Sequence, residues 1–250
     1  MRLFLRFQAS LLVAVIGCGG GGSAATAPIV PGASIRLLNA ISDLGLIDMI
    51  WSATGSTPAV GFGETYPTAP GTYATIPAQP ALELRNIGGG NILQGRVFTS
   101  LVPGPRFLLV ALGNASGLAS GPLDSLIVYQ DTAATPAAGA WVRVINALDY
   151  IGSHSFGDSA DVYLYPAGSA RPGGPTARLA FKARTAYLPY AAGTVTMDVY
   201  TTGADPTNPP QYAVQLGLTN GAVRTVILRD PPPASPVGTP GNVFVLADQH

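Results

Sequence analysis

The sequence predicts an all-β protein built from two tandem sandwiches, and three observations predict it. Glycine and proline, 31 and 23 of 250 residues, are spread along the chain and supply frequent turns. Between the turns lie short apolar or alternating runs, and beyond the N-terminal segment no long window combines helical periodicity with capping residues. The runs also come in two sets with the same landmarks in the same order, the mark of a duplication.

Composition narrows the class. Hydrophobic residues make 47% of the chain, enough for a sizeable core, while charged residues are only 10% against a usual ~25%. Thirteen basic residues balance thirteen acidic ones, and Lys182 is the lone lysine. No basic stripe is available to track phosphates, so a nucleic-acid partner is excluded. One cysteine rules out a disulfide within the chain.

The chain begins "MRLFLRFQASLLVAVIGC". Arg2 and Arg6 precede an apolar run that ends at Ile16, followed by a small residue and Cys18, the layout of a secretory signal over residues 1–17. The run is shorter than the ~20 apolar residues a spanning helix needs. "VIGC" resembles the bacterial lipobox, and the resemblance implies a diacylglycerol thioether on Cys18, which then becomes the mature N-terminus. Gly19 and Gly20 are not acidic, which favours the outer membrane or cell surface over the inner membrane. Residues 18–33 read as a Gly/Ser/Pro-rich tether with no core of its own.

The first repeat, 34–138, offers the strands "SIRLLNA", "IDMIWSA", "ALELRNI", "RFLLVALG" and "SLIVYQD". The second, 139–250, offers "WVRVINA", "DVYLYPA", "TVTMDVYTT", "YAVQLGL", "VRTVILRD" and "NVFVLAD". Most are bounded by Gly, Pro, Asn or Ser, and "TVTMDVY" alternates as a sheet with one buried face requires. Pro77, Pro166 and Pro189 belong at strand ends or edges, where a missing donor costs little. "GGG" at 88–90 reads as a hairpin turn rather than a phosphate cradle, having neither the lysine nor the helix of a P-loop. Short strands at this density suggest two-sheet sandwiches of immunoglobulin-like build.

The copies align through "IRLLNA" over "VRVINA", Asp48 over Asp161, Gly55 over Gly168, Gly104 over Gly221 and Asp131 over Asp248. The second copy supplies Val142, Arg143, Asn146, Ala147, then Asp161, Val162, Tyr163, then Ala192, Gly193, Thr194 and Val195. This pattern resembles the bacterial domain of unknown function 4397, which occurs in tandem in secreted and surface proteins. The resemblance covers about Ser34 to Asp248, more closely in the second copy. It departs where "LDYIGSHSFGDSA" replaces a short turn, and where "LIDMIW" and "PAQPALEL" stand in the first copy. It implies a β-sandwich surface module and no reaction.

Among the repeated residues, Asn39 and Asn146 close a strand and suit a side-chain-to-backbone turn. Asp48 and Asp161 open the next strand, where Arg36 and Arg143 are candidates to pair with them. Catalytic groupings are thin: the histidines are His154 and the terminal His250, and no nucleophile elbow is present. Asp149, His154, Asp158 and Asp161 lie close in sequence, but their spacing matches no calcium loop and one histidine is a poor zinc signature, so no metal and no cofactor are expected. Tyr163, Tyr165, Tyr187 and Tyr190 could line a carbohydrate face, tyrosine offering an apolar plane with a polar tip. The sequence thus points to a non-catalytic, lipid-anchored cell-envelope protein whose two modules scaffold or bind protein partners. The alternative is a surface glycan-binding module that uses those tyrosines.

Overall fold

The computed structural model describes residues 32–41, 44–51, 55–78, 80–87, 90–91, 97–98, 101–113, 125–131, 135–148, 159–229 and 242–248. Cys18, the signal, the tether up to residue 31, the 149–158 loop with His154, and His250 lie outside the described residues; Gly32 and Ala33, read from the sequence as the end of the tether, instead begin the first strand, and Ala33 is fully buried. The fold is all-β. No helix is present among the described residues, and none is long and apolar enough to cross a membrane.

The first repeat contains β1 (Gly32–Ile41), β2 (Leu46–Ile50), β3 (Val60–Gly61), β4 (Thr65–Tyr66) and β5 (Ala74–Pro77). It continues through β6 (Ala81–Asn86), β7 (Gly90–Asn91), β8 (Val97–Phe98), β9 (Arg106–Gly113) and β10 (Ser125–Asp131). The second contains β11 (Ala140–Ala147), β12 (Ser159–Pro166), β13 (Ala177–Ala180) and β14 (Leu188–Tyr190). It closes with β15 (Gly193–Thr201), β16 (Tyr212–Leu218), β17 (Ala222–Arg229) and β18 (Asn242–Asp248). Each run read as a strand from the sequence is one, and the additions are short strands of two to four residues. The prolines sit as expected, Pro77 and Pro166 ending their strands and Pro189 within the three-residue edge strand β14. Gly90 pairs with Asn86 across a β6–β7 hairpin, while 88–89 lie outside the described residues.

Each repeat is a two-sheet sandwich. In the first, sheet β10-β9-β1-β4, with β5 also on β1, faces sheet β3-β2-β6-β7, with β8 also on β6. In the second, β14-β11-β17-β18 faces β13-β12-β15-β16. Both repeats pair their first strand in parallel with their penultimate one: Arg36 with Leu108 on β1 and β9, Arg143 with Thr225 on β11 and β17. The equal register makes Arg36 and Arg143 equivalent, and likewise Asp131 and Asp248, which end β10 and β18.

Side-chain alternation then sends one face of each inner sheet to its own core and the other face elsewhere. Ile35, Leu37, Leu109 and Ala111 join Met49 and Leu84 in the first core, and Val142, Val144, Val226 and Leu228 join Val162 and Met197 in the second. A third cluster takes Leu38, Ala40, Leu108, Val110, Leu112 and Tyr129 from the first repeat and Ile145, Ala147, Ile227 and Leu246 from the second. The inner sheets therefore pack face to face, giving four layers within the one unit Pro31–His250. Burial on both faces explains why β9 reads "FLLVAL" without alternation.

Candidate functional site

The repeated polar residues fall into two groups, local clips and a seam between the repeats. Asn39 and Asn146 are clips. Asn39 Nδ2 donates to the Val60 carbonyl at 3.1 Å, and its Oδ1 accepts from the Ile41 N–H at 3.1 Å. Asn146 does the same with Leu179 at 2.9 Å and Leu148 at 3.1 Å. In each copy the Asn carbonyl also accepts from a left-handed residue, Gly63 (φ 75°) or Lys182 (φ 70°). The turn-forming role read from the sequence is thus present in both copies.

Asp48 and Asp161 find arginines other than those expected. Asp48 accepts from Arg85 of β6 at 3.2 and 2.5 Å, and Asp161 from Arg178 of β13 at 2.7 and 3.0 Å. Asp161 also accepts from the Gly203 N–H at 3.3 Å, and its Arg178 bonds hold its carboxyl below the usual carboxylate range. Arg36 and Arg143 do not pair with these aspartates, because alternation points them to the opposite face of their strands, into the seam.

Arg143 is 1% exposed and forms an ion pair of 2.5 Å with Asp131 of the other repeat. Its Nε and Nη2 donate to Thr225 Oγ1 at 3.0 and 2.8 Å, and its guanidinium lies 4.6 Å from the centre of the Tyr187 ring. Tyr73 donates to Asp131 Oδ2 at 2.8 Å. Thr225 donates to Asp248 Oδ2 at 2.5 Å, and Tyr187 Oη lies 3.3 Å from Asp131 Oδ1 and 3.2 Å from Asp248 Oδ2. Burial, with the negative charge of Asp131 beside it, pushes the Asp248 carboxyl up to about 6. Burial also raises Tyr73 and Tyr187 far above an ordinary phenol, and Tyr129 up to about 12.

The two-fold relation of the repeats is broken at this point. Arg36, the counterpart of Arg143, donates to the Ala247 carbonyl at 2.9 Å instead of pairing with Asp248, and its Nε is buried without a partner. Thr225 stands where the first repeat has Leu108, so the hydroxyl that organises Arg143 has no counterpart around Arg36. Two further links cross the seam. Tyr129 donates to the Lys182 carbonyl at 2.8 Å. Arg229 lies 4.5 Å from the Phe62 ring centre and 5.4 Å from that of Phe244, and its guanidinium fills the space a Cβ on Gly63 would take.

The four tyrosines do not form a shared platform. Tyr163 and Tyr165 belong to β12 in the outer sheet, whereas Tyr187 and Tyr190 lie on the β14 side of the inner one. Tyr163 is 5% exposed and meets Tyr200 edge-on at 78°, with Arg171 over both rings. Arg171 also bonds the Tyr200 hydroxyl and the Pro206 carbonyl, pinning one loop of the outer face to another. Tyr165 donates to Asp198 at 2.7 Å, Tyr187 is held in the seam, and Tyr190 packs against the second core. Of the acidic loop weighed for a metal, Asp149, His154 and Asp158 lie outside the described residues, and Asp161 is bound to Arg178.

Sequence reasoning singled out Arg143, but it missed Tyr73, Thr225 and Arg171, and it used Asp131 and Asp248 only as landmarks of the repeat. Tyr73 and Tyr187 precede equivalent strands, β5 and β14, and align once the pairing registers are known. In comparisons with known proteins, the chain matches no family model and no curated protein.

Proposed function

We propose that this chain is a non-catalytic cell-envelope protein, held to a membrane through an acylated Cys18, in which two sandwiches act as one rigid scaffold or protein-binding body. The observation that carries the reading is the use made of the repeated charges. Arg36, Arg143, Asp131 and Asp248 are each no more than 8% exposed; Arg143 with Asp131 and Arg36 with the Ala247 carbonyl join repeat to repeat, and Asp248 is bonded to Thr225 and Tyr187 beside them. A buried ion pair contributes little net stability against an apolar replacement, yet it penalises wrong registers because a lone buried charge is costly. That suits a part whose task is to hold a fixed shape. The resemblance to domain 4397 and its immunoglobulin-like sandwiches belongs to the same proposal, as does placement at the outer membrane or surface.

Two measurements test it together. Expressed with its signal, the chain should partition with membranes and gain a lipid mass on its N-terminal cysteine, and Cys18→Ser should abolish both. The purified chain should show no saturable retention on envelope polysaccharide or peptidoglycan. Retention that free glycan competes, and that Tyr165→Ala or Tyr190→Ala removes from a folded protein, would replace the scaffold with the glycan-binding module.

A further inference from the structure

We propose that the seam is a proton-operated latch, in which one proton held between Asp248 and Asp131 through Tyr187 fastens the two repeats, and loss of that proton loosens them. Thr225 Oγ1 accepts from Arg143 Nε and Nη2, so its own proton is free to point to Asp248 Oδ2, 2.5 Å away. Tyr187 has a single hydroxyl proton and two carboxylate oxygens in reach, Asp131 Oδ1 at 3.3 Å and Asp248 Oδ2 at 3.2 Å. With both acids ionised, one of these approaches is oxygen against oxygen with no proton between. A proton taken from solvent onto Asp248 Oδ2 completes the chain: Asp248 donates to Tyr187 Oη, and Tyr187 donates to Asp131 Oδ1. No other group has to change its charge.

The surroundings decide which acid takes the proton. Asp131 on β10 already has the Arg143 ion pair at 2.5 Å and the Tyr73 hydroxyl at 2.8 Å. Asp248 on β18 faces Thr225 of β17, Tyr187 ahead of β14, Arg143 of β11 beyond Thr225, and Asp131 itself. Tyr73 approaches from the segment before β5. Arg36 of β1, the cation that two-fold symmetry would supply, is spent on the Ala247 carbonyl. β16, which touches β18, carries no charged residue. Asp248 is thus a buried carboxylate held by neutral donors beside a second, better-neutralised one, the arrangement in which one of two acids keeps a proton. Burial and the neighbouring charge both act in that direction. The consequence reaches both repeats, since Phe244 and Leu246 of the same strand pack in the shared cluster.

Hydrogen exchange of the full chain between pH 5 and 8, corrected for intrinsic rates, reads the latch directly. Peptides covering β18, β17 and β1 should be better protected at pH 5 than at pH 8, with a midpoint near 6. Asp248→Asn, which carries no titrating group and whose amide can donate to Tyr187 Oη while leaving the Thr225 hydroxyl without that acceptor, should remove the pH dependence, with equal protection at both ends. Equal or greater protection of the wild type at pH 8, or a pH dependence that survives Asp248→Asn, would overturn the proposal. If the variant does not fold, the Asp248 carboxyl carbon followed by NMR in the wild type decides. A midpoint near 6 supports the latch, and one at an ordinary aspartate value, about 4, ends it.

Discussion

Truncating Asp131 to alanine strands the Arg143 guanidinium in a place where it is 1% exposed. Two bonds to Thr225 remain, at 3.0 and 2.8 Å, but a hydroxyl does not neutralise a cation. Breaking one side of a buried pair costs about 3–5 kcal/mol, and Tyr73 loses the acceptor of its 2.8 Å bond, about 1 kcal/mol more. Arg143→Met alone leaves Asp131 and Asp248 facing each other without their shared cation and should cost a similar amount. Asp131→Ala combined with Arg143→Met removes both charges, so no lone ion of the pair is left buried. Its cost should fall short of the sum of the single changes by at least about 2 kcal/mol, as expected for groups in direct contact. Urea titration of the four proteins, followed by far-ultraviolet circular dichroism, gives the cycle from the midpoints and slopes. Single-variant losses below about 1 kcal/mol, or strict additivity, would refute the claim that the pair is buried and acts across the seam.

Other consequences are checked with the same methods. Gly63→Ala puts a side chain at φ 75° and into the space of the Arg229 guanidinium, so a loss of about 1–3 kcal/mol is expected. Relief on adding Arg229→Ala would identify the overlap as the cause. Asn39→Ala and Asn146→Ala each remove a buried donor and a buried acceptor, and each should destabilise by about 2–4 kcal/mol. A large effect from one and none from the other would contradict the equivalence of the clips. At low pH the sign is the reverse of the latch's. The Asp161 carboxyl is held below its unfolded value of 3.8, so the stability it contributes is present above that value and is lost as pH falls through the lower, folded one. Arg178→Gln should flatten that part of the acid limb, and an unchanged limb would show that Arg178 is not responsible.

The strands were legible in the chain because strand formation is written in short-range pattern. "TVTMDVY" alternates, glycines and prolines punctuate, and β15 appears where the pattern places it. The duplication was legible too, and two of its landmark pairs play equal roles in the structure: Gly104 and Gly221 both take positive φ, and Asn39 and Asn146 make the same bonds. The pairing of charges was not. Asp48 and Asp161 align in sequence, yet one is met by Arg85 in β6 and the other by Arg178 in β13, on opposite sides of the equivalent strand. A carboxylate at a strand position accepts a guanidinium from either neighbour, and nothing local says which neighbour carries it.

The seam shows the same division on a larger scale. A signal for it was present: β9, "RFLLVALG", is apolar on both of its faces, which a sandwich open to water on one side does not require. That pattern states that a second face is covered but not by what. The sequence is sufficient for all-β character and for where the main strands lie, since these depend on neighbours a few residues away. The partners of Arg143, Asp131 and Asp248 depend on two sheets from opposite halves of the chain meeting in one register. Only the packed fold sets that register, and with it which charges meet.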